Sequence, residues 1–200
     1  MALKAVSSLA DLSSLDASQV LGTVMPDGTS KPGLHLPASL EGFALMPSAV
    51  RGVVHNSRRG VVMLWTRIKG TLELVGGKTD GKDLKAALKD EVLQEAGIDR
   101  LDRIKFLGIV VEHRKPDGES EQNRLKVSYA FEAHTPTPME TWASPVLTDD
   151  EQARGVSRII LPTMDEALRV LSGSGRARIE RDRLAVQAAM DLPEKGKKKH

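Results

Sequence analysis

Two glutamates four residues apart are the most informative chemical feature of this 200-residue sequence. Glu91 and Glu95 lie within residues 82–96, a segment rich in Ala, Leu, Lys and Glu that predicts a helix ended by Gly97. At about 100° per residue, both carboxylates fall on one side of that helix, next to Leu88. Like charges at this spacing repel each other, and burial of an unpaired carboxylate is costly. The pattern therefore predicts a positively charged partner for the pair.

Two kinds of partner would satisfy the glutamates. A divalent cation such as Mg²⁺ or Mn²⁺ prefers carboxylate oxygens and binds well when a substrate phosphate completes its shell. Gly76 and Gly77, which precede the helix, would let the backbone approach such a phosphate closely. The alternative is that both glutamates are surface carboxylates paired with Lys or Arg on a neighbouring element, which is the usual role of a helix carboxylate. The spacing alone leaves both possibilities open.

The elements around this helix predict a mixed β-sheet between helices. Segments with strand character begin at Val50 and cover residues 61–65, 71–75, 105–113, 125–133 and 158–161. Further helices are predicted over residues 163–171 and 176–190. This order of strands and helices is typical of an α+β fold with an α/β/α sandwich.

The length of the chain and the placement of its Pro and Gly residues predict one domain with extensions. Residues 1–47 form a Pro/Gly-rich N-terminal extension, predicted to be irregular with brief extended pieces and one short helix. The main domain covers residues 48–171. Residues 172–192 form a C-terminal helix that packs on the domain, with Ile179, Leu184, Val186 and Ala189 as core contacts. The lysine-rich residues 193–200 are predicted to be a disordered basic tail.

Composition excludes several classes of protein. The chain is 40% hydrophobic and 28% charged, and no apolar run approaches the length of a membrane span. The absence of cysteine excludes disulfide scaffolds, cysteine-ligated metal sites and thiol nucleophiles. A net charge of +2 and few aromatic residues do not indicate a nucleic-acid binder beyond the basic tail. Residues 1–20 lack the features of a targeting segment, which favours a cytoplasmic protein.

The segment over residues 76–98 resembles the Nudix box. That motif reads Gly, five residues, Glu, seven residues, Arg-Glu, a bulky apolar residue, one residue, Glu-Glu, one residue, Gly and a bulky apolar residue. The matching positions hold Gly76, Glu91, Val92, Glu95, Gly97 and Ile98. The chain departs from the motif at Lys82, Asp90 and Gln94, where the first Glu, the Arg and the first residue of the Glu pair are expected. The resemblance extends over roughly residues 50–171.

The resemblance implies that Glu91 and Glu95 are catalytic residues that ligate the metal. Gln94 replaces a carboxylate, and an amide cannot act as a base or as a charged ligand. The reversed charges of Lys82 and Asp90 could preserve a salt bridge in inverted form. A further acid is expected from outside the box, with Glu151 as the first choice among Glu112, Glu119, Glu121, Asp149, Asp150 and Glu151.

The resemblance also implies a function. The expected activity is that of a Mg²⁺-dependent hydrolase that cleaves a nucleoside diphosphate linked to another moiety. Residues expected to bind the substrate are Gly76, Gly77, Lys78, Arg51 and Arg67, with Lys69 as a further cation that could meet a phosphate. The alternative is a weakened or inactive Nudix fold that binds a nucleotide, a protein or a nucleic acid. A homodimer is possible for either.

Overall fold

The computed structural model describes residues 5–56, 60–116, 122–172 and 176–192. The strands in these residues are β1 (Val20–Val24), β2 (Ser30–Pro32), β3 (Phe43–Leu45), β4 (Ala49–His55), β5 (Val61–Thr66), β6 (Thr71–Leu74), β7 (Asp102–Arg114), β8 (Asn123–His134) and β9 (Val156–Leu161). The α-helices are α1 (Leu9–Ser13), α2 (Leu84–Ala96), α3 (Asp149–Ala153), α4 (Met164–Leu171) and α5 (Ala177–Met190), with short 3₁₀ turns at Ala17–Gln19 and Met139–Thr141.

The strands form one mixed sheet with the order β2-β1-β7-β8-β4-β5-β6. The long antiparallel pair β7–β8 lies near its centre. Strand β4 runs parallel to β8, whereas β5 runs antiparallel to β4. Strand β3 adds to β8, and β9 adds to β5. Parallel and antiparallel pairs in one sheet confirm the predicted mixed sheet.

Two hydrophobic cores cover the two faces of the sheet. Side chains alternate between the faces along a strand. On β4, Val50 and Val54 therefore join the core that contains Leu88 of α2, whereas Val53 joins the core that contains Leu171 of α4 and Val186 of α5. Helices on both sides of the sheet confirm the predicted α/β/α sandwich within an α+β fold.

The N-terminal extension is built into this domain. Strand β1 pairs in parallel with β7, next to the centre of the sheet. Val24 of β1 and Leu12 of α1 are fully buried. The Pro and Gly residues after β1 led to the prediction of mostly irregular chain. The boundary near residue 48 therefore does not separate two packing units in the described residues.

Helix boundaries differ slightly from the predictions, for local reasons. Helix α2 begins at Leu84 rather than at Lys82, because the Asp83 carboxylate accepts hydrogen bonds from the Lys85 and Ala86 N–H groups and caps the helix. It ends as predicted at Gly97, whose φ of 67° is the left-handed conformation of a helix end.

The C-terminal helix packs against the sheet. In α5, Ile179, Val186 and Ala189 are buried, and Leu184 is half-buried against Gly22. The predicted basic tail, residues 193–200, lies outside the described residues. Across the described part of the chain, every helix is too short or too polar to cross a membrane.

Candidate active site

Helix α2 holds Glu95 beneath the loop that follows β6. Leu84, Leu88 and Val92 of α2 are buried in the core, which fixes the rotation of the helix. Glu95 is only 7% exposed, and its Oε2 accepts a hydrogen bond of 2.8 Å from the Gly76 N–H. This hydrogen bond fixes the Glu95 carboxyl group against the loop that follows β6.

Glu91 approaches the same loop at Gly77. A methyl group placed on Gly77 would overlap the Glu91 carboxylate. The missing side chain therefore lets the carboxylate lie directly against the backbone. Gly76 is required for a different reason, since its φ is 143° and a methyl group there would overlap the Val50 carbonyl.

Hydrogen bonds to β4 hold this loop in place. The Val50 N–H donates to the Gly77 carbonyl and the Gly52 N–H donates to the Val75 carbonyl, both at 2.9 Å. The arrangement of two carboxylates and a glycine loop therefore rests on a strand that is itself in the centre of the domain.

Burial disfavours the charged form of both carboxyl groups. Burial raises the pKa of Glu95 to about 8, although the Gly76 N–H and the charge of Arg51 act in the opposite direction. Burial also raises the pKa of Glu91, and the nearby Glu151 adds to this effect. In the part of the chain that the structure describes, neither carboxylate forms an ion pair with Lys or Arg. The surface-pairing alternative therefore does not describe these glutamates.

Glu91 and Glu95 line a cleft of about 510 Å³ whose lining holds both acidic and basic side chains. Acidic residues on the lining are Glu73, Asp80, Glu91, Glu95, Asp150 and Glu151. Basic residues on the lining are Arg51, Lys78, Lys126, Arg154, Arg178 and Arg181. A cleft with this composition can hold cations and anions side by side.

Glu151 reaches the cleft from α3. Its Oε2 accepts hydrogen bonds from the Thr148 N–H at 2.7 Å and the Thr148 hydroxyl at 2.8 Å, in a capping box that starts the helix. Its charge contributes to the raised pKa values of Glu91 and Glu95. The acid expected from outside the box thus lies in the same cleft.

Arg51 and Lys126 stand out among the basic residues because they are deeply placed. The Arg51 Nη1 donates a hydrogen bond to the Gly76 carbonyl, and its buried Nε has no hydrogen-bond acceptor among the described residues. Burial and the charge of Arg51 lower the pKa of Lys126 to about 7, although Glu112 acts in the opposite direction. Both cations lie where an anionic ligand would relieve their mutual repulsion.

A buried ionic cluster, which was not predicted from the sequence, lies beneath the cleft. Arg181 of α5 is 1% exposed, and its Nε donates to Asp182 at 2.6 Å. Its terminal nitrogens lie 3.5 Å from the Glu112 carboxylate and 4.0 Å from that of Glu73. Although burial opposes ionisation, Arg181 and Arg114 lower the pKa of Glu112 to about 2. A signal was available, since Arg181 and Asp182 interrupt the otherwise apolar stripe of α5.

The remaining predicted residues fall in different places. Lys78 lines the cleft, but Arg67 does not; it follows β5 and packs against Gly155. Lys69 lines a second cavity beside the cleft. Asp150 lines the cleft and pairs with Arg154 at 3.0 Å. Asp149 begins α3 without lining the cleft, and Glu119 and Glu121 lie outside the described residues.

The inverted ion pair within the box is confirmed. Lys82 Nζ lies 2.6 Å from Asp90 Oδ2. Both side chains are more than half exposed, so this contact links the start of α2 to its middle without reaching the cleft.

Comparison with known proteins identifies the family. A mixed sheet between helices, with a glycine loop and helix carboxylates at one cleft, is the arrangement of a hydrolase-type domain, and a family model for the NUDIX domain matches residues 45–171. The chain therefore belongs to the Nudix family, and in general to the Nudix-type hydrolases. A comparison with curated proteins gives no match. Helix α5 and strand β1 lie outside the matched residues.

Nudix-family proteins generally use divalent metals such as Mg²⁺, and the cleft suits such a cation in part. Glu91 and Glu95 offer oxygen donors, which hard cations prefer, and a cation would remove the cost of their unpaired charge. Within the described ranges, however, no group of three or more His, Asp or Glu side chains is arranged to hold a metal ion. The chain therefore offers two carboxylates, and water and substrate oxygens would supply the other ligands.

Proposed function

We propose that this protein is a divalent-metal-dependent hydrolase that cleaves the diphosphate linkage of a nucleoside diphosphate joined to another moiety. The observation that carries the proposal is a cleft in which a buried and a half-buried carboxyl group, neither in an ion pair with another described residue, share the lining with several basic side chains. A diphosphate bound together with a cation would neutralise both sets of charges at once.

Glu91 and Glu95 would hold the cation, Mg²⁺ or Mn²⁺. When bound, such a cation supplies Lewis-acid polarisation of a phosphoryl oxygen and lowers the pKa of a bound water. The chain's own contribution is to hold the two carboxyl groups in place, and a bound cation would favour their ionised form against the effect of burial. The Gly76 N–H fixes Glu95, and the close approach at Gly77 leaves room for Glu91.

The basic residues of the lining would bind the diphosphate. Arg51, Lys78 and Lys126 all line the cleft, and charge-assisted hydrogen bonds to phosphate are stronger than neutral ones. Arg51 also braces the loop through the Gly76 carbonyl. Substrate binding and loop geometry are thus connected through one side chain.

Glu151 would position or deprotonate the attacking water. It lies in the cleft, close enough to raise the pKa values of Glu91 and Glu95, and its capping box holds the carboxylate in a fixed orientation. Gln94 also lines the cleft, at the motif position where a carboxylate is expected. The proposal therefore assigns the proton-handling role to Glu151 rather than to residue 94.

The test is hydrolysis of a panel of nucleoside diphosphate compounds, followed by release of nucleoside monophosphate. The parent protein should turn over at least one compound with Mg²⁺ or Mn²⁺, and EDTA should abolish the reaction. Glu91→Gln should lower kcat by at least 100-fold. Glu140→Gln, an exposed glutamate outside the cleft, serves as the matched control. The proposal fails if no compound is cleaved, or if Glu91→Gln is as active as Glu140→Gln.

A further inference from the structure

A second cavity, which we call the α5 cavity, opens beside the cleft. It has a volume of about 350 Å³ and shares Glu73 and Arg178 with the cleft, so the two spaces adjoin. Five of its lining residues are Lys or Arg, namely Lys69, Arg114, Lys115, Arg176 and Arg178. Glu73 is the only acidic residue on its lining within the described chain. The α5 cavity is therefore suited to an anion.

The positive charge of the α5 cavity is only partly neutralised by the protein. Arg114 pairs with Glu112 at 2.7 Å, and Arg176 donates a hydrogen bond to the Lys69 carbonyl. Lys69 and Arg178 form no ion pair in the described residues, and their charges repel each other. Both act on the single carboxylate of Glu73, so two cations share one acid and an excess of positive charge faces the cavity.

The first turn of α5 forms part of the wall of the α5 cavity. The helix begins at Ala177, Arg176 before it makes no side-chain cap, and residues 176–179 line the cavity. Arg181, one turn further along, is 1% exposed and lines the adjoining cleft, where its terminal nitrogens lie 3.5 Å from the Glu112 carboxylate and 4.0 Å from that of Glu73. The positive charge of the α5 cavity is therefore carried by the side chains on its own lining, chiefly Lys69 and Arg178.

We propose that the α5 cavity binds a phosphate monoester that the substrate carries in addition to its diphosphate linkage. This inference rests on the proposed function, because it places the diphosphate in the cleft and the extra phosphate in the adjoining α5 cavity. Helix α5 lies outside the residues matched by the family model. The preference for a phosphorylated substrate is therefore a property that the C-terminal helix adds to the Nudix domain.

The same chemistry would also accept free inorganic phosphate, and competition distinguishes the two sources. If the extra phosphate of the substrate occupies the α5 cavity, inorganic phosphate should raise KM for the phosphorylated compound and leave KM for its unphosphorylated counterpart unchanged. An equal rise for both compounds would place inorganic phosphate in the cleft and would overturn the inference.

The main test compares compounds that differ by one phosphate monoester, such as NADPH with NADH, or coenzyme A with its dephosphorylated form. The parent protein should have at least tenfold higher kcat/KM for the phosphorylated member. Lys69→Gln and Arg178→Gln should each reduce this ratio several-fold. Lys89→Gln, which removes an equal charge from an exposed position on α2, should leave the ratio unchanged. A parent ratio near one, or a ratio unaffected by both variants, would overturn the inference.

A binding experiment separates this inference from the proposed function. Calorimetry with inorganic phosphate in EDTA needs neither metal nor turnover. Binding should occur with the parent and with Lys89→Gln, and it should weaken at least tenfold in Lys69→Gln, whose side chain lines the α5 cavity but not the cleft. If no compound is hydrolysed but this pattern holds, the hydrolase proposal fails and the anion site stands. If hydrolysis occurs but phosphate binds equally to Lys69→Gln, the anion site fails and the hydrolase proposal stands.

Discussion

Replacing Glu95 by Gln should stabilise the metal-free protein at high pH. The structure buries this carboxyl beneath the Gly76 loop without an ion pair among the described residues. Burial raises its pKa to about 8, from an ordinary value of 4.5. Glutamine keeps an oxygen that can accept the hydrogen bond from the Gly76 N–H but cannot ionise. The substitution therefore removes the cost of a buried charge while it preserves the local contact.

The sign and size of the effect follow from linkage between protonation and folding. Below pH 4.5 the Glu95 carboxyl is neutral in both the folded and the unfolded chain. Between pH 4.5 and about 8 the folded protein keeps a proton that the unfolded chain releases, so its free energy of unfolding falls as the pH rises. At about 1.4 kcal/mol for each pH unit, the full cost above pH 8 is on the order of 5 kcal/mol.

The assay is chemical denaturation in EDTA at pH 5 and at pH 8.5. The difference in unfolding free energy between Glu95→Gln and the parent should grow by several kcal/mol between these two pH values. Groups other than Glu95 titrate equally in both proteins and cancel in the comparison. Glu140→Gln, an exposed glutamate, should show no such growth. An equal pH dependence of Glu95→Gln and the parent would refute the argument that the carboxyl is buried and uncompensated.

Three further predictions concern the walls of the cleft. Gln94→Glu adds a carboxylate to the lining of the cleft and should raise the rate of hydrolysis by roughly tenfold or more. Added Mg²⁺ should also raise the Tm of this variant more than that of the parent. No change in either quantity would contradict the prediction. Gly77→Ala should raise the Kd for Mn²⁺ at least tenfold, because the added methyl group would overlap the Glu91 carboxylate. The circular dichroism spectrum should not change. An unchanged Kd would show that the close approach of Glu91 to residue 77 is not needed. Arg181→Met should lower the unfolding free energy by about 3–5 kcal/mol, since it leaves Glu112 and Asp182 buried without their cation. Arg183→Met, on the same helix, is the control and should lower it by less than half as much. Equal losses for the two Arg variants would argue against the buried cluster.

Local spacing made part of the candidate site predictable. Glu91 and Glu95 share a helix whose start, end and apolar positions can be read from residues 83–97, so their joint position requires no knowledge of the rest of the chain. The predicted loop glycines are explained in the same way, because both lie in the loop that leads into that helix. Glu151 was predicted less directly, from its place in the chain before the last strand. Helix α3, which carries Glu151 and precedes β9, brings this side chain to the cleft.

The rest of the site depends on contacts that no local pattern encodes. Arg181 meets Glu112 and Glu73 across the sheet, at sequence separations that periodicity does not address. In a single sequence, a charged residue in an apolar stripe shows that a partner exists but not which one. Brief extended pieces were predicted in residues 1–47, but the pairing of β1 with β7 was not, because its parallel partner lies far along the chain. Arg67 was predicted at the site because of its charge, whereas the turn after β5 directs it towards Gly155.

Calorimetric titration with Mn²⁺ is the most direct test of the claim that Glu91 and Glu95 form a metal site. The titration is done near pH 8 on the parent, Glu95→Gln and Glu140→Gln, in a buffer without phosphate or another chelator. The account predicts saturable Mn²⁺ binding by the parent and by Glu140→Gln, and at least tenfold weaker binding by Glu95→Gln. Equal binding by all three proteins would contradict it.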